Sequence, residues 1–263
     1  MPYICTHTKI TFQLRFFIEI AYKGTNYYGW QIQPNADSIQ ENINKAFTTV
    51  LRTKIDVVGA GRTDTGVHAE QLFAHFDFEN IFDLNQLKYK VNSILPNDIV
   101  INDIFEVKPD AHARFIASKR SYEYRIYLGR NPFEIETTWQ LNNKKLNIDK
   151  MNEAAENLLT FSNFKCFSRT NTNVKTYNCD ITRAEWVLDN KKLVFHISAN
   201  RFLRNMVRAI VGTLINVGLG KTSIEDFKNI IKSEDRSNAG TSAPSKGLFL
   251  TKVKYPKNIY LNE

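Results

Sequence analysis

Hydrophobic and polar positions alternate with period two in two long stretches. Over Leu72 to Phe78, Leu72, Ala74, Phe76 and Phe78 fall on one side and Phe73, His75 and Asp77 on the other. Over Ser121 to Leu128, Tyr122, Tyr124, Ile126 and Leu128 alternate with Ser121, Glu123, Arg125 and Tyr127. Each predicts a strand with one face on a core. Phe16 to Tyr22, rich in Phe and Ile, runs into Lys23-Gly24-Thr25-Asn26 and predicts a strand entering a turn. Ile55 to Val58, Ile99 to Val107 and Leu248 to Val253 predict further strands, and Trp186–Leu188 with Leu193–Ala199 predicts a hairpin across Asp189–Lys192.

Between these stretches the period changes to that of a helix. Ile39, Ile43, Ala46, Val50 and Leu51 make one stripe, capped by Asp37 or Ser38 with Glu41 in the capping-box position. A second helix starts at Asp83 with Gln86 in the box position, turns Leu84, Leu87 and Val91 inward and ends at Leu95-Pro96-Asn97-Asp98. A third, from about Asp149, buries Met151, Ala155, Leu158 and Leu159. The spacing of Phe202, Met206, Ile210, Leu214 and Val217 predicts a helix over 202–217, stopped by Gly218 and Gly220, and another opens near Thr222 or Ser223. Hairpins together with crossovers predict an α+β fold with an antiparallel-rich mixed sheet flanked by helices. A boundary near Lys108–Arg114 divides residues 14–110 from 111–258 as two lobes facing a central cleft. Residues 1–13 read as a tail.

Composition narrows the partners. The 263 residues carry 35 Lys+Arg against 27 Asp+Glu, a net charge of +8, and 43% are hydrophobic. That length and apolar content exclude a disordered chain and a miniprotein. Cys5, Cys166 and Cys179 form no Cys-x-x-Cys pair and have no His at structural-zinc spacing, which fits a reducing compartment. The longest apolar stretch, Ala209–Gly220, is broken by Thr213 and Asn216 and is shorter than the ~20 residues that cross a bilayer, so it predicts a buried helix and no membrane partner. Lys9, Arg15 and Glu19 interrupt the region a signal peptide needs, and the chain is expected to be cytoplasmic. The basic residues cluster with aromatics: Lys119, Arg120, Arg125 and Arg130 around Tyr122, Tyr124 and Tyr127, and Arg201, Arg204 and Arg208 around Phe202. Cations for phosphates beside flat rings for bases suit looped RNA, although such runs also serve as solvated faces.

The most unusual segment is Gly59-Ala60-Gly61-Arg62-Thr63-Asp64-Thr65-Gly66-Val67-His68-Ala69. Its glycines permit tight turns and close approach of a ligand. Spacing alone fits both a reactive loop and a structural turn with Arg62 and Asp64 solvated at its tip. It lacks the lysine of a phosphate-binding loop and opens no helix. His68 and His75 have no Cys or carboxylate in ligand register, so a buried, hydrogen-bonded His68 is expected in preference to a metal ligand. Trp30 is expected to pack.

Five segments in order resemble one family. Gly61-Arg62-Thr63-Asp64-Thr65-Gly66-Val67-His68-Ala69 resembles the signature of TruA-type tRNA pseudouridine synthases. Tyr22-Lys23-Gly24-Thr25-Asn26-Tyr27-Tyr28-Gly29-Trp30-Gln31 resembles the family's N-terminal motif, and Ala113-Arg114-Phe115 with Lys119-Arg120-Ser121-Tyr122-Glu123-Tyr124 its middle motif. Asn200–Arg208 with Ile210-Val211-Gly212 resembles its helical motif, and Ala243-Pro244 with Gly247-Leu248 the last one. The similarity spans about residues 14–256. Thr65 stands where Ala is usual, and 176–185 matches loosely.

The resemblance implies a two-lobed pseudouridine-synthase fold with the active site in the central cleft. It implies isomerisation of uridine to pseudouridine at positions 38, 39 and 40 of the tRNA anticodon stem-loop, with no cofactor and no metal, by a homodimer in which each tRNA touches both subunits. Asp64 aligns with the catalytic aspartate and Arg208 with the arginine that pairs with it. Tyr122 aligns with the tyrosine that packs on the target base, and Arg62 with the arginine that helps displace the uridine from the stem. Lys119, Arg120, Arg201 and Arg204 are then candidates for backbone contacts. A carboxylate can attack ribose C1′ or uracil C6, or assist deprotonation at C1′. An RNA-binding protein without catalysis would not need this constellation, and an aspartate-dependent glycosidase would want a second carboxylate nearby.

Overall fold

The computed structural model describes residues 13–79, 83–142, 145–170 and 174–261. The first half contains β1 (Leu14–Tyr22), α1 (Ile39–Leu51), β2 (Val58–Gly59), β3 (His68–Phe78), α2 (Leu84–Asn92) and β4 (Ile99–Val107). The second contains β5 (Lys119–Leu128), β6 (Trp139–Leu141), α3 (Ile148–Glu156), β7 (Ile181–Asp189), β8 (Lys192–Ala199), α4 (Met206–Gly218), α5 (Ile224–Ser233) and β9 (Leu248–Lys254). Among the described residues, nine strands make one sheet in the order β4-β1-β3-β9-β5-β8-β7, with β2 added on β3 and β6 on β5. Every pairing is antiparallel except β3 with β9 and β5 with β6. The fold is α+β with an antiparallel-rich sheet, as the periodicity predicts.

The last strand joins the two halves. β9 lies between β3 and β5, yet its ladder to β3 consists of His68↔Phe249 and Ala69↔Leu250 alone. Beyond these pairs the link passes through a side chain, Gln71 Oε1 accepting the Val253 N–H at 3.1 Å. The loop before His68 therefore emerges where the two halves part.

Two hydrophobic cores flank this seam. One gathers Phe16, Ile18, Ile39, Phe47, Phe76, Val91 and Ile101, with Leu250 and Val253 from β9. The other gathers Tyr124, Met151, Phe167, Trp186, Phe195, Ile210 and Phe227, with Val67 from the first half. Tyr122 packs against both.

Several boundaries differ from the sequence expectation. Phe202 is in phase with α4 but outside it, because Asn205 is left-handed at φ 66° and the helix starts only at Met206. Gly218 is the last residue of that helix and is pressed against Met151, where a Cβ would come within 2.4 Å of Sδ. Of the strand expected at Ile55–Val58, only Val58 pairs, because the ladder to β3 consists of Val58↔His75 and Gly59↔Ala74. Helix α2 ends at Asn92, before Leu95-Pro96, and β7 begins at Ile181, ahead of Trp186. Leu159 is 47% exposed, because α3 gives way to a tighter turn over Asn157–Leu159. At α1, Ser38 accepts the Glu41 N–H at 3.3 Å, while the Glu41 carboxylate turns to Lys45 at 2.7 Å. Ser223 with Asp226 makes the full capping box at α5. Of the tail expected over residues 1–13, residues 1–12 lie outside the described residues.

Candidate active site

The loop between β2 and β3 is held from below by the Tyr22–Gln31 segment. Thr63 is buried, with Oγ1 at 2.8 Å from the Tyr22 hydroxyl and its carbonyl accepting the Trp30 N–H at 3.2 Å. Gly29 permits this approach. Its φ is +94°, and a Cβ there would stand 2.4 Å from the Thr63 oxygen. The Gly66 N–H donates to the Tyr27 carbonyl at 3.3 Å, and the Val67 N–H to the Asp64 carbonyl at 3.1 Å, which closes a turn around Asp64.

His68 fastens the far end. Its Nδ1 accepts the Gly24 N–H at 3.1 Å, so the proton sits on Nε2 and points to the Glu136 and Lys246 carbonyls, each at 3.1 Å. Burial lowers its pKa and keeps the ring neutral. His68 is thus a hydrogen-bonded core histidine, as the sequence predicts. Among the described residues, no group of three or more His, Cys, Asp or Glu side chains is placed to hold a metal ion. Trp30 is 2% exposed and packs under Gly59.

Asp64 is carried on this turn with its side chain 26% exposed, facing two arginines. Arg208 Nη1 lies 3.6 Å from Oδ2 and Arg204 Nε 3.7 Å from Oδ1. Both separations exceed a hydrogen bond, so the cations stabilise the charge without binding the oxygen lone pairs tightly. Arg208 is fixed from behind. Its Nε donates to the Ala243 carbonyl at 2.7 Å, and its own carbonyl accepts the Ala243 N–H at 2.9 Å. Arg204 is 57% exposed, and among the described residues its side chain pairs with Asp64.

Tyr122 on β5 presents its ring edge-on to Phe202 at 5.1 Å. Burial pushes its phenol up to about 12, the Arg120 cation opposes this, and the Asp64 charge adds to it. Asp64 and Tyr122 are therefore neighbours, and the tyrosine stays a neutral flat ring. Arg62 is exposed at the mouth, its Nε donating to Gln31 Oε1 at 3.2 Å.

Arg120 is turned toward main-chain carbonyls. Its Nη1 donates to the Ala117 and Asn200 carbonyls at 2.9 and 2.8 Å, and its Nη2 to Ala60 and Arg114 at 3.2 and 2.8 Å. With four donors engaged and burial lowering its pKa, it braces the backbone and has little left for phosphate. Lys119 and Arg201 are half-buried, and Arg201 stands close enough to Arg120 for its charge to lower that pKa as well. The structure thus brings Asp64, Arg208, Arg204 and Tyr122 together, leaves Arg62 at the rim and withdraws Arg120. The anchoring carbonyl of Ala243 and the tether from Gln31 are additions; only their place in the matched segments hinted at them. Cys166 and Cys179 are buried, with thiols pushed up to about 12 and 11, so neither is poised as a nucleophile.

A carboxylate faced by two arginines thus stands beside a half-buried tyrosine on the seam of a mixed sheet. A family model described as tRNA pseudouridine synthase matches residues 154–256. The chain is 51% identical over 248 residues to tRNA pseudouridine synthase A of Bacteroides fragilis, covering 94% of this chain and 98% of that protein. It is 48% identical over 252 residues to the protein of that name from Bacteroides thetaiotaomicron, covering 95% and 93%. Against the one from Thermoanaerobacter pseudethanolicus it is 40% identical over 247 residues, covering 90% and 98%. The protein is a pseudouridine synthase by class, an isomerase. Within that class the chain belongs to the TruA-type family of tRNA pseudouridine synthases. Among the described residues no helix is long and apolar enough to cross a membrane.

Proposed function

We propose that this protein isomerises uridine to pseudouridine at positions 38, 39 and 40 of the tRNA anticodon stem-loop, with Asp64 as the catalytic carboxylate. The observation that carries the reading is the Asp64 side chain, seated on a braced turn with an arginine on each oxygen and Tyr122 beside it. The reaction breaks the N1–C1′ bond and forms a C5–C1′ bond, and the proton lost from C5 is balanced by one gained at N1. No electrons or groups enter or leave, so the amino-acid side chains suffice. Asp64 starts the sequence by attack at C1′ or C6 or by assisting deprotonation at C1′, and each route needs an ionised carboxylate.

Arg208 holds that charge, and Tyr122 supplies a face for the uracil. Arg62 fills the space a displaced base leaves, offsetting part of an unstacking cost of a few kcal/mol. Lys119, Arg201 and Arg204 contact the phosphate backbone. Residues 14–110 and 111–258 act as two lobes closing on the stem-loop in the cytoplasm, in a homodimer whose subunits share each tRNA.

The test is incubation with unmodified tRNA and mapping of pseudouridine. The wild type converts uridines in the anticodon stem-loop, and Asp64→Asn, nearly isosteric but unable to act as nucleophile or base, falls to background. Wild-type product levels from Asp64→Asn would remove Asp64 from the mechanism.

A further inference from the structure

Phe115 is 75% exposed, although nothing about its surroundings is loose. The backbone of residues 111–117 is fastened by four side chains from other parts of the sheet. Arg15 Nη1 donates to the Ala111 carbonyl at 3.1 Å, and the Tyr255 hydroxyl to the Ala113 carbonyl at 2.7 Å. The Ala113 N–H donates to His75 Nδ1 at 3.2 Å. Arg120 takes the Arg114 and Ala117 carbonyls, and the Phe115 and Ile116 N–H groups close on the His112 carbonyl at 3.1 and 3.2 Å. A rigid turn therefore displays a large apolar ring to solvent, a choice that folding alone does not reward.

The neighbours of the ring indicate what it meets. The His112 ring lies 4.2 Å from it at 34°, and the Arg114 guanidinium carbon lies 5.8 Å from its centroid. Arg114 and Arg201 both bear on Arg120, so arginines surround the turn. A surface for another protein would continue in apolar side chains, whereas an aromatic ring among cations suits a base with its phosphate. The place is also telling. One nitrogen of Arg120 binds both the Arg114 carbonyl and the Ala60 carbonyl, at 2.8 and 3.2 Å, which ties the turn to the loop carrying Arg62 and Asp64.

We infer that Phe115 is a stacking platform for an unpaired nucleobase of the RNA substrate, with Arg114 on the adjoining phosphate. This rests on the functional reading above and adds a binding site outside the Asp64 pocket. Rigid presentation lowers the entropy lost on binding, because the ring is already where the base needs it.

The experiment measures Kd for unmodified tRNA by filter binding across a salt series, alongside pseudouridine formation and sedimentation. Phe115→Ala and Phe115→Leu weaken binding roughly 5- to 150-fold, the range of base–aromatic stacking, while Phe115→Trp keeps wild-type affinity. The slope of log Kd against log salt is unaltered in all three, and Arg114→Gln reduces it by about one. Unchanged affinity in Phe115→Ala overturns the inference. So does full affinity in Phe115→Leu, which would mean apolar packing in place of stacking, or a change of oligomeric state in Phe115→Ala, which would mean that protein covers the ring. An active wild type with an unaffected Phe115→Ala removes the platform alone, whereas a wild type that makes no pseudouridine removes the functional reading.

Discussion

Arg208 does two things with one guanidinium. Nε is bound to the Ala243 carbonyl at 2.7 Å, and Nη1 reaches toward Asp64 at 3.6 Å. A lysine has a single nitrogen and cannot span both, so Arg208→Lys keeps the charge and loses the geometry. Arg204 cannot take over, since it is more than half exposed and, among the described residues, its guanidinium has no backbone tether. The expected outcome is a fall in turnover on the order of 10²-fold, with tRNA affinity changed much less, because the lost interaction serves the carboxylate. Single-turnover rates measured beside Kd check this, and a loss confined to Kd would reassign Arg208 to binding. That Asp64, Arg208 and Tyr122 come together was legible in the sequence because all three lie in the segments that resemble the family's motifs. Arg120 was expected on phosphate, and its engagement with carbonyls was legible only from its register: it alternates in phase with Tyr122 and Tyr124 and so points inward. Arg204, proposed to contact phosphate, also faces Asp64 with a side chain that is 57% exposed. Its place on Asp64 depends on how the chain enters α4, which the left-handed Asn205 decides.

At the scale of elements, the site depends on a strap, residues 239–244, laid along α4. The Gly240 N–H donates to Thr213 Oγ1 at 2.9 Å, and Ser242 Oγ accepts from Asn205 Nδ2 at 2.6 Å and Arg236 Nη2 at 3.0 Å. The Tyr124 hydroxyl donates to the Pro244 carbonyl at 2.7 Å. Gly212 lets the strap lie this close, since a Cβ there would stand 1.8 Å from the Thr241 carbonyl oxygen. Gly212→Ala must therefore push backbone away from the helix and disturb the Ala243–Arg208 pair. Overpacking of this kind costs about 1–3 kcal/mol of stability, and turnover falls with it. Gly61→Ala, with open space around its Cβ, leaves the thermal midpoint unchanged. Thermal melts of the two variants check the contrast, and equal midpoints would show that the strap is slack. Period-two and period-3.6 patterns gave the core strands and helices, because burial of one face is local in sequence. The strap was invisible to them. It has no periodicity, and its interactions are made by carbonyls that every residue possesses.

For the whole molecule, the net charge of +8 is a poor guide to RNA affinity until the cations used internally are set aside. Arg15 is paired with Asp77 at 2.7 Å, and Arg125 with Glu70 and Glu123 at 2.6 and 2.7 Å while lying over the Phe249 ring. Arg120 is spent on carbonyls, and Arg208 faces Asp64. Of the two basic clusters visible in the sequence, Lys119, Arg130 and Arg201 are in no ion pair among the described residues, and Lys119 lies at the end of the sheet where β5 and β9 begin and finish their pairing, with Arg201 close to Arg120 beside it. The salt dependence of binding follows the number of phosphates neutralised, not the net charge. Lys119→Ala and Arg201→Ala should therefore each lower the slope of log K against log salt by about one, whatever the tRNA sequence. Arg120→Ala should act differently. It removes the brace shared by Ala60, Arg114, Ala117 and Asn200, so its signature is a lower thermal midpoint. Binding titrations at several salt concentrations, run beside melts, separate the two behaviours. A slope that survives loss of both Lys119 and Arg201 would mean that the surplus charge solvates the surface and that phosphate contact is made elsewhere.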